Sequence, residues 1–149
     1  MNTDEKLLIA IMKISELYKK TSSSMLRNYG LTFAQHTALR VLEASATGQS
    51  GITNVSKTML VSGANLTGVA KRLAKTGLII KKDHPNDDRV TLLEITRKGR
   101  QLLDNIRADR DKLVKEFLKD YSDEEIRELL TQLKKCINRL KTFNSTSVS

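Results

Sequence analysis

Tryptophan is absent from this chain of 149 residues, cysteine and proline occur once each, and acids are scarce: 17 Asp and Glu stand against 26 Lys and Arg. Each shortage excludes something. The one cysteine, Cys136, rules out an intrachain disulfide framework. His36 and His84, far apart in sequence, make poor material for a zinc site even with that cysteine. No stretch approaches the ~18 consecutive apolar residues that a bilayer-spanning helix needs. The opening MNTDEK is neither a signal nor a transit peptide, so the expected location is the cytoplasm. The sequence offers no glycine-rich phosphate loop and no nucleophile–base pairing, which leaves an enzyme without support and calls for no cofactor and no metal. The single proline, Pro85, and most of the glycines fall outside the periodic segments, so long helices joined by short connections are expected.

What is present is a core and a positive charge. The apolar fraction of 39% over this length is enough for one domain with a real interior. The net charge of +9 favours a polyanionic partner, either nucleic acid or an anionic membrane surface. That charge is concentrated: between Lys57 and Arg100 there are ten Lys and Arg but four acids, at positions 83, 87, 88 and 94.

Taken in order, Asp4–Tyr29 carries apolar residues at helical spacing, and its stripe is wider than one intrachain neighbour would cover, which hints at a subunit contact. Gly30 stops it. Thr32 with Gln35 is a capping box opening a second helix. Residues 46–51 read as a loop, and Ile52–Leu60 as a short helix. Ser62 caps a further helix that runs to about Thr76, closed by Gly77. Leu66, Val69 and Leu73 form its inward face, while Asn65, Thr67, Lys71, Arg72 and Lys75 occupy the rest. The period then shortens. Leu78–Ile80 and Val90–Ile95 read as two strands around the turn chemistry of His84–Asp88, which predicts a β-hairpin. A hairpin directly after a helix-turn-helix is the wing of a winged-helix domain. Thr96 caps a helix to about Asp120, and Ser122 with Glu125 boxes the start of the last one. Cys136 lies on that last helix's apolar stripe and is expected to be a buried structural thiol. The fold expected is mainly α with a small β-hairpin wing, in the order α-α-α-α-β-β-α-α, as a single domain over 1–149 with a disordered tail at 143–149.

The helix-turn-helix ITNVSKTMLVSGANLTGVAKRLAKTGLI and the wing DHPNDDRVTLLEITRKG, with Asp87-x-Arg89 and Thr96-x-x-Gly99 at matching distances, resemble the MarR family of bacterial winged-helix regulators. The likeness extends over nearly the whole chain, since one long helix precedes this region and two follow it. Two departures stand out: Ile95 replaces the usual leucine before Thr96, and acidic Asp88 occupies a wing position that is often basic, which weakens the attraction of the wing to phosphate.

The resemblance implies a homodimer on pseudo-palindromic operator DNA, with the winged helix-turn-helix over 32–99 set between dimerisation helices at 4–30 and 100–142. It implies a recognition helix, 62–76, in the major groove and a wing, 81–91, in the minor groove. Ser62, Ala64, Asn65 and Thr67 then lie at the groove-entering end, with Asn65 suited to adenine and Ala64 to a thymine methyl. Lys71, Arg72 and Lys75 suit phosphates, though Arg72 has the alternative of turning inward to bond the wing. Arg89 would enter the minor groove, held by Asp87. A small anionic or phenolic effector is implied between the dimerisation helices and the winged region, drawing on Met12, Tyr18, Met25, Tyr29, His36 and Arg40. The family's peroxide sensors carry a cysteine in the N-terminal helix, and none stands there in this chain. The leading expectation is therefore a DNA-binding repressor released by a ligand. Two alternatives stay open, an effector-independent nucleoid-type DNA binder and a winged-helix protein-interaction module.

Overall fold

A computed structural model describes residues 1–146. The chain divides into two units, Met1–Arg110 and a second from Asp111 onward.

The first unit begins with α1 (Thr3–Leu26), which Asn2 and Glu5 cap reciprocally, and a 3-10 turn (Arg27–Tyr29) extends it. The Thr32–Gln35 capping box forms as expected, with the Gln35 amide donating to Thr32 Oγ1 at 3.1 Å, and opens α2 (Phe33–Ala44). There follow β1 (Gln49–Gly51), α3 (Ile52–Met59), α4 (Gly63–Lys75), β2 (Ile79–His84), β3 (Asp87–Ile95) and α5 (Arg97–Leu118), whose residues from Asp111 on belong to the second unit. The three strands form one antiparallel sheet in the order β1-β3-β2.

Two expectations change here. Residues 49–51 are not loop: they pair with Glu94, Leu93 and Leu92 as a third strand. The hairpin is also longer, because Lys81–His84 continue β2 opposite β3 and only Pro85 and Asn86 make the turn. A run of polar, charged residues reads as a turn in sequence, yet it extends readily when a partner strand supplies the hydrogen bonds and both faces meet water.

Leucines fill the interior. Leu26, Leu39 and Leu42 from α1 and α2 meet Val55 of α3, Leu66 and Leu73 of α4, Leu93 of β3 and Ile106 of α5, all essentially without solvent contact. Burying each such side chain contributes on the order of 1.5–3 kcal/mol, so the helix-turn-helix is fixed to the rest of the unit through its apolar face.

Three helices end in the same way. In each, the residue just past the helix takes a left-handed backbone, its amide bonds back across the last turn, and the next amide reaches one residue further back. Gly30 does this after Tyr29 (φ +70°), with Leu31 N–H on the Leu26 carbonyl at 3.2 Å. Gly77 does it after α4 (φ +76°), with Leu78 N–H on the Leu73 carbonyl at 3.0 Å. At the end of α3 the position is held by Leu60 (φ +56°), with Val61 N–H on the Ser56 carbonyl at 3.1 Å.

In the second unit, α6 (Asp123–Thr146) starts at the expected box: Ser122 N–H donates to Glu125 Oε2 at 2.7 Å and Glu125 N–H to Ser122 Oγ at 3.2 Å. None of its residues is buried, although Leu129, Leu130, Ile137 and Leu140 are spaced as a single stripe. Cys136 is consequently exposed, not buried as its place on that stripe suggested, because nothing within the described chain covers it. The helix also continues through Phe143–Thr146, so the expected tail at 143–149 is helical in its first part, and 147–149 lie outside the described residues.

Candidate nucleic-acid interface

The candidate site is the outer side of α4 together with the hairpin tip. Ser62 Oγ accepts the Asn65 amide at 3.2 Å, which caps α4 and fixes where it begins. Leu66, Val69, Ala70 and Leu73 face the core. At 3.6 residues per turn that orientation sends the expected contact residues outward, and Ser62, Ala64, Asn65, Thr67, Lys71, Arg72 and Lys75 are all exposed. Thr67 donates its hydroxyl to the Gly63 carbonyl at 2.9 Å. Arg72 does not turn inward to the wing. A Cβ built on Gly68 would stand 3.8 Å from both terminal guanidinium nitrogens, so Arg72 lies over its own helix one turn back.

At the hairpin, Arg89 leaves 90% of its side chain in solvent, and Asp87 holds it there. The Arg89 amide and Nε donate to Asp87 Oδ1 at 3.1 and 3.0 Å, and a terminal nitrogen donates to Oδ2 at 3.3 Å. These bonds from Arg89, side chain first and then backbone, keep the Asp87 carboxyl below the usual carboxylate range. The turn is pinned as well, by the Asn86 amide donating to His84 Nδ1 at 3.1 Å. Of the neighbouring cations, Lys82 is ion-paired with Glu94 on the same face of the sheet, while Lys81 is exposed. Asp88 is exposed beside Arg89, so the wing presents charges of both signs. Together the two elements offer an exposed helix of small, amide, hydroxyl and cationic side chains and a guanidinium held on a stalk. Side chains of these types are able to donate hydrogen bonds to base edges and phosphates.

Of the six residues expected to serve a ligand, Tyr29 and Arg40 line different hollows. Met12 is exposed on α1, and Tyr18 packs edge-on against Phe33 with ring centroids 6.4 Å apart. Met25 packs on the core. Tyr29 donates its phenol hydroxyl to Asp109 at 2.5 Å, a bond that keeps its proton on and its pKa raised. His36 is 8% exposed, and its Nε2 has no hydrogen-bond partner among the described residues. Burial first, then the charges of Arg40 and Arg110, bring its pKa down to about 4, so the ring is neutral. Arg40 lines a separate hollow with Ser50, Asn54 and Thr58. A groove of about 650 Å³ does lie between α1, the start of α2 and the end of α3, with walls that include Ser15, Lys19, Ser23, Phe33 and Leu60. No local motif announces it, since its walls come from three segments.

A family model described as transcriptional regulator SarA/Rot matches residues 20–106, which contain the whole helix-turn-helix and wing. The chain belongs to the SarA/Rot family of transcriptional regulators. It is 27% identical over 144 residues to the HTH-type transcriptional regulator MhqR of Bacillus subtilis (strain 168), covering 95% of this chain and 98% of that protein. The solved structure of Sco5413, a MarR family transcriptional regulator from Streptomyces coelicolor, superposes with a TM-score of 0.76 at 28% identity and covers 94% and 96% of the two chains. Sco3205, a MarR family transcriptional regulator of the same organism solved in complex with DNA, shares the fold with a TM-score of 0.81 at 19% identity over 93% and 88%. The MarR resemblance read from the sequence therefore holds, and this SarA/Rot-family chain is a winged-helix transcriptional regulator, not an enzyme.

Proposed function

We propose that this regulator is a cytoplasmic, homodimeric repressor that binds a pseudo-palindromic operator and is released from it by a small molecule. The observation that carries DNA recognition is the division of α4, whose apolar residues are locked in the core while Ser62, Ala64, Asn65, Thr67, Lys71, Arg72 and Lys75 are left exposed together. Asn65 has the paired donor and acceptor that match adenine, Ala64 fits a thymine methyl, and the cations reach phosphates. Arg89, braced by Asp87, suits the negative potential of a narrow minor groove.

Two chains are needed on physical grounds. One short helix reads too few bases to compete with a genome of non-specific sites. A two-fold pair set roughly 34–36 Å apart doubles the specific contact and fixes half-site spacing. The uncovered apolar residues of α1, including Leu7, Leu8, Met12 and Leu17, and those of α6 support such a pairing. The groove between α1, α2 and α3 supports the effector, since it sets an ammonium, Lys19, and hydroxyls beside apolar walls, as a small anionic or phenolic compound requires.

The test is a titration of a duplex selected by the protein from a random-sequence pool, at two salt concentrations. A two-fold-symmetric site bound with a steep salt slope is expected. Failure to bind any duplex at low salt overturns the proposal in favour of a protein-interaction module. Binding that no small anionic or phenolic compound releases leaves an effector-independent DNA binder.

A further inference from the structure

Three successive carbonyls follow Lys75, the last residue of α4: those of the C-cap Thr76 and of Gly77 and Leu78 just beyond it. Carbonyls at a helix end have no partner within the helix and must find one elsewhere. Here all three are taken by the short segment that starts α5. Lys98 Nζ donates to the Thr76 carbonyl at 2.8 Å, Thr96 Oγ1 to the Gly77 carbonyl at 2.7 Å, and the Thr96 amide to the Leu78 carbonyl at 3.1 Å. Thr96 Oγ1 also accepts the Gly99 amide at 3.1 Å, so one hydroxyl ends α4 and begins α5. Gly99 completes the join by shape. A Cβ there would collide with the Leu78 carbonyl oxygen and come within 2.8 Å of Ile95 Cγ1.

The charge pattern agrees. The first turn of α5 carries Arg97, Lys98 and Arg100 and no acid, which is the wrong sign for the N-terminal end of its own dipole. Lys98 is placed favourably only with respect to α4, whose negative end it caps.

We infer that Thr96, Lys98 and Gly99 form a clasp that sets the orientation of the recognition helix relative to α5, so that operator affinity depends on these positioning residues without their touching DNA. The inference rests on the DNA-binding function proposed above. A cation on this basic surface has a simpler alternative job, direct contact with a phosphate, and the two jobs differ in what they do to the salt dependence.

The experiment compares wild type, Lys98→Met, Lys98→Arg and Thr96→Val on the selected duplex across a salt series, with hydrogen exchange of the amides of residues 76–78 followed in parallel without DNA. Lys98→Met is expected to weaken specific binding about tenfold, the scale of a lost charge-assisted bond, with the slope of log affinity against log salt unchanged. Lys98→Arg restores affinity, Thr96→Val weakens it as Lys98→Met does, and both weakened variants exchange faster at 76–78. Unchanged affinity in Lys98→Met overturns the clasp. So does a slope reduced by about 0.9 for each lysine removed, which marks a phosphate contact. If the wild type selects no duplex, the DNA-binding proposal fails by itself, and unchanged exchange in Lys98→Met still overturns the clasp.

Discussion

Arg89 and Asp87 show how a single exposed pair acquires a defined geometry. An isolated surface ion pair contributes little to stability, about 0–1 kcal/mol, and Arg89 is too exposed for more to be assigned to it. What the pair does is restrict the rotamers of Arg89, which in the proposed DNA complex lowers the entropy lost on binding. Arg89→Ala is expected to weaken operator binding by roughly 1–3 kcal/mol with thermal stability and oligomeric state unchanged; unchanged affinity in a gel-shift or anisotropy titration places the wing off the DNA. His36 makes the opposite case, a buried residue with consequences for stability. Its ordinary pKa of 6.5 falls to about 4 in the fold, so as pH drops below 6.5 the unfolded chain takes up a proton that the native ring still refuses. Stability that is fully present above 6.5 is therefore lost progressively down to about 4, by on the order of 1–3 kcal/mol. His36→Leu removes both the titration and an unpaired buried nitrogen, and its urea-unfolding free energy is expected to fall less than the wild type's between pH 7 and pH 4.5. Parallel curves for the two proteins would show that His36 is solvated.

At the scale of elements, the ends of helices carry most of the specification. The boxes at Thr32–Gln35 and Ser122–Glu125, the cap at Ser62 and the stop at Gly77 were all legible in the sequence, because each is a local rule in which one side chain satisfies one backbone group a few residues away. What was not legible is what only a distant partner decides. Residues 49–51 contain no β-branched residue and become a strand because Leu92–Glu94 lie alongside. Lys81–His84 are extended for the same reason. The spacing of Thr96 and Gly99 was visible as a pattern, but the job of Lys98 was not, since its partner is 22 residues back. The exposed positions of α4 followed from the apolar period alone, whereas the groove beside Leu60 needs three segments and has no sequence period. Leu60 itself breaks the local rule. It holds a left-handed position that glycine holds at the other two such helix ends, and it is 81% exposed, so it gains almost nothing from burial. An L-residue there costs about 1–2 kcal/mol, partly offset in a glycine variant by the greater freedom of the unfolded chain. Leu60→Gly is expected to raise stability by roughly 0.5–1 kcal/mol, read as a higher denaturation midpoint. A lower midpoint would mean that Leu60 is covered in the assembled protein, which would direct attention to the groove it borders.

At the scale of the molecule, the mismatch between α6's sequence and its surroundings is the fact to explain. A helix of 24 residues carries Leu129, Leu130, Ile137 and Leu140 in one stripe, each about half exposed, and none of its residues is buried. Apolar surface of this kind is retained where a partner covers it, and a two-fold-related copy is the partner that the proposed binding to a pseudo-palindromic operator also requires. The two demands meet in one variant. In a monomer, replacing exposed Leu140 by glutamate is a surface change worth within about 0.5 kcal/mol. In a dimer that buries the stripe it puts an unpaired charge into an apolar contact, one copy from each subunit. Leu140→Glu is therefore expected to shift the protein from dimer to monomer in sedimentation at micromolar concentration while helical circular dichroism is kept. Binding to the two-fold duplex should fall by more than Arg89→Ala causes, and the residual binding should have roughly half the wild-type salt slope, because one chain then neutralises half the phosphates. A variant that stays dimeric with an undiminished slope would show that α6 lies outside the subunit contact and that the recognition helices are spaced by some other part of the chain.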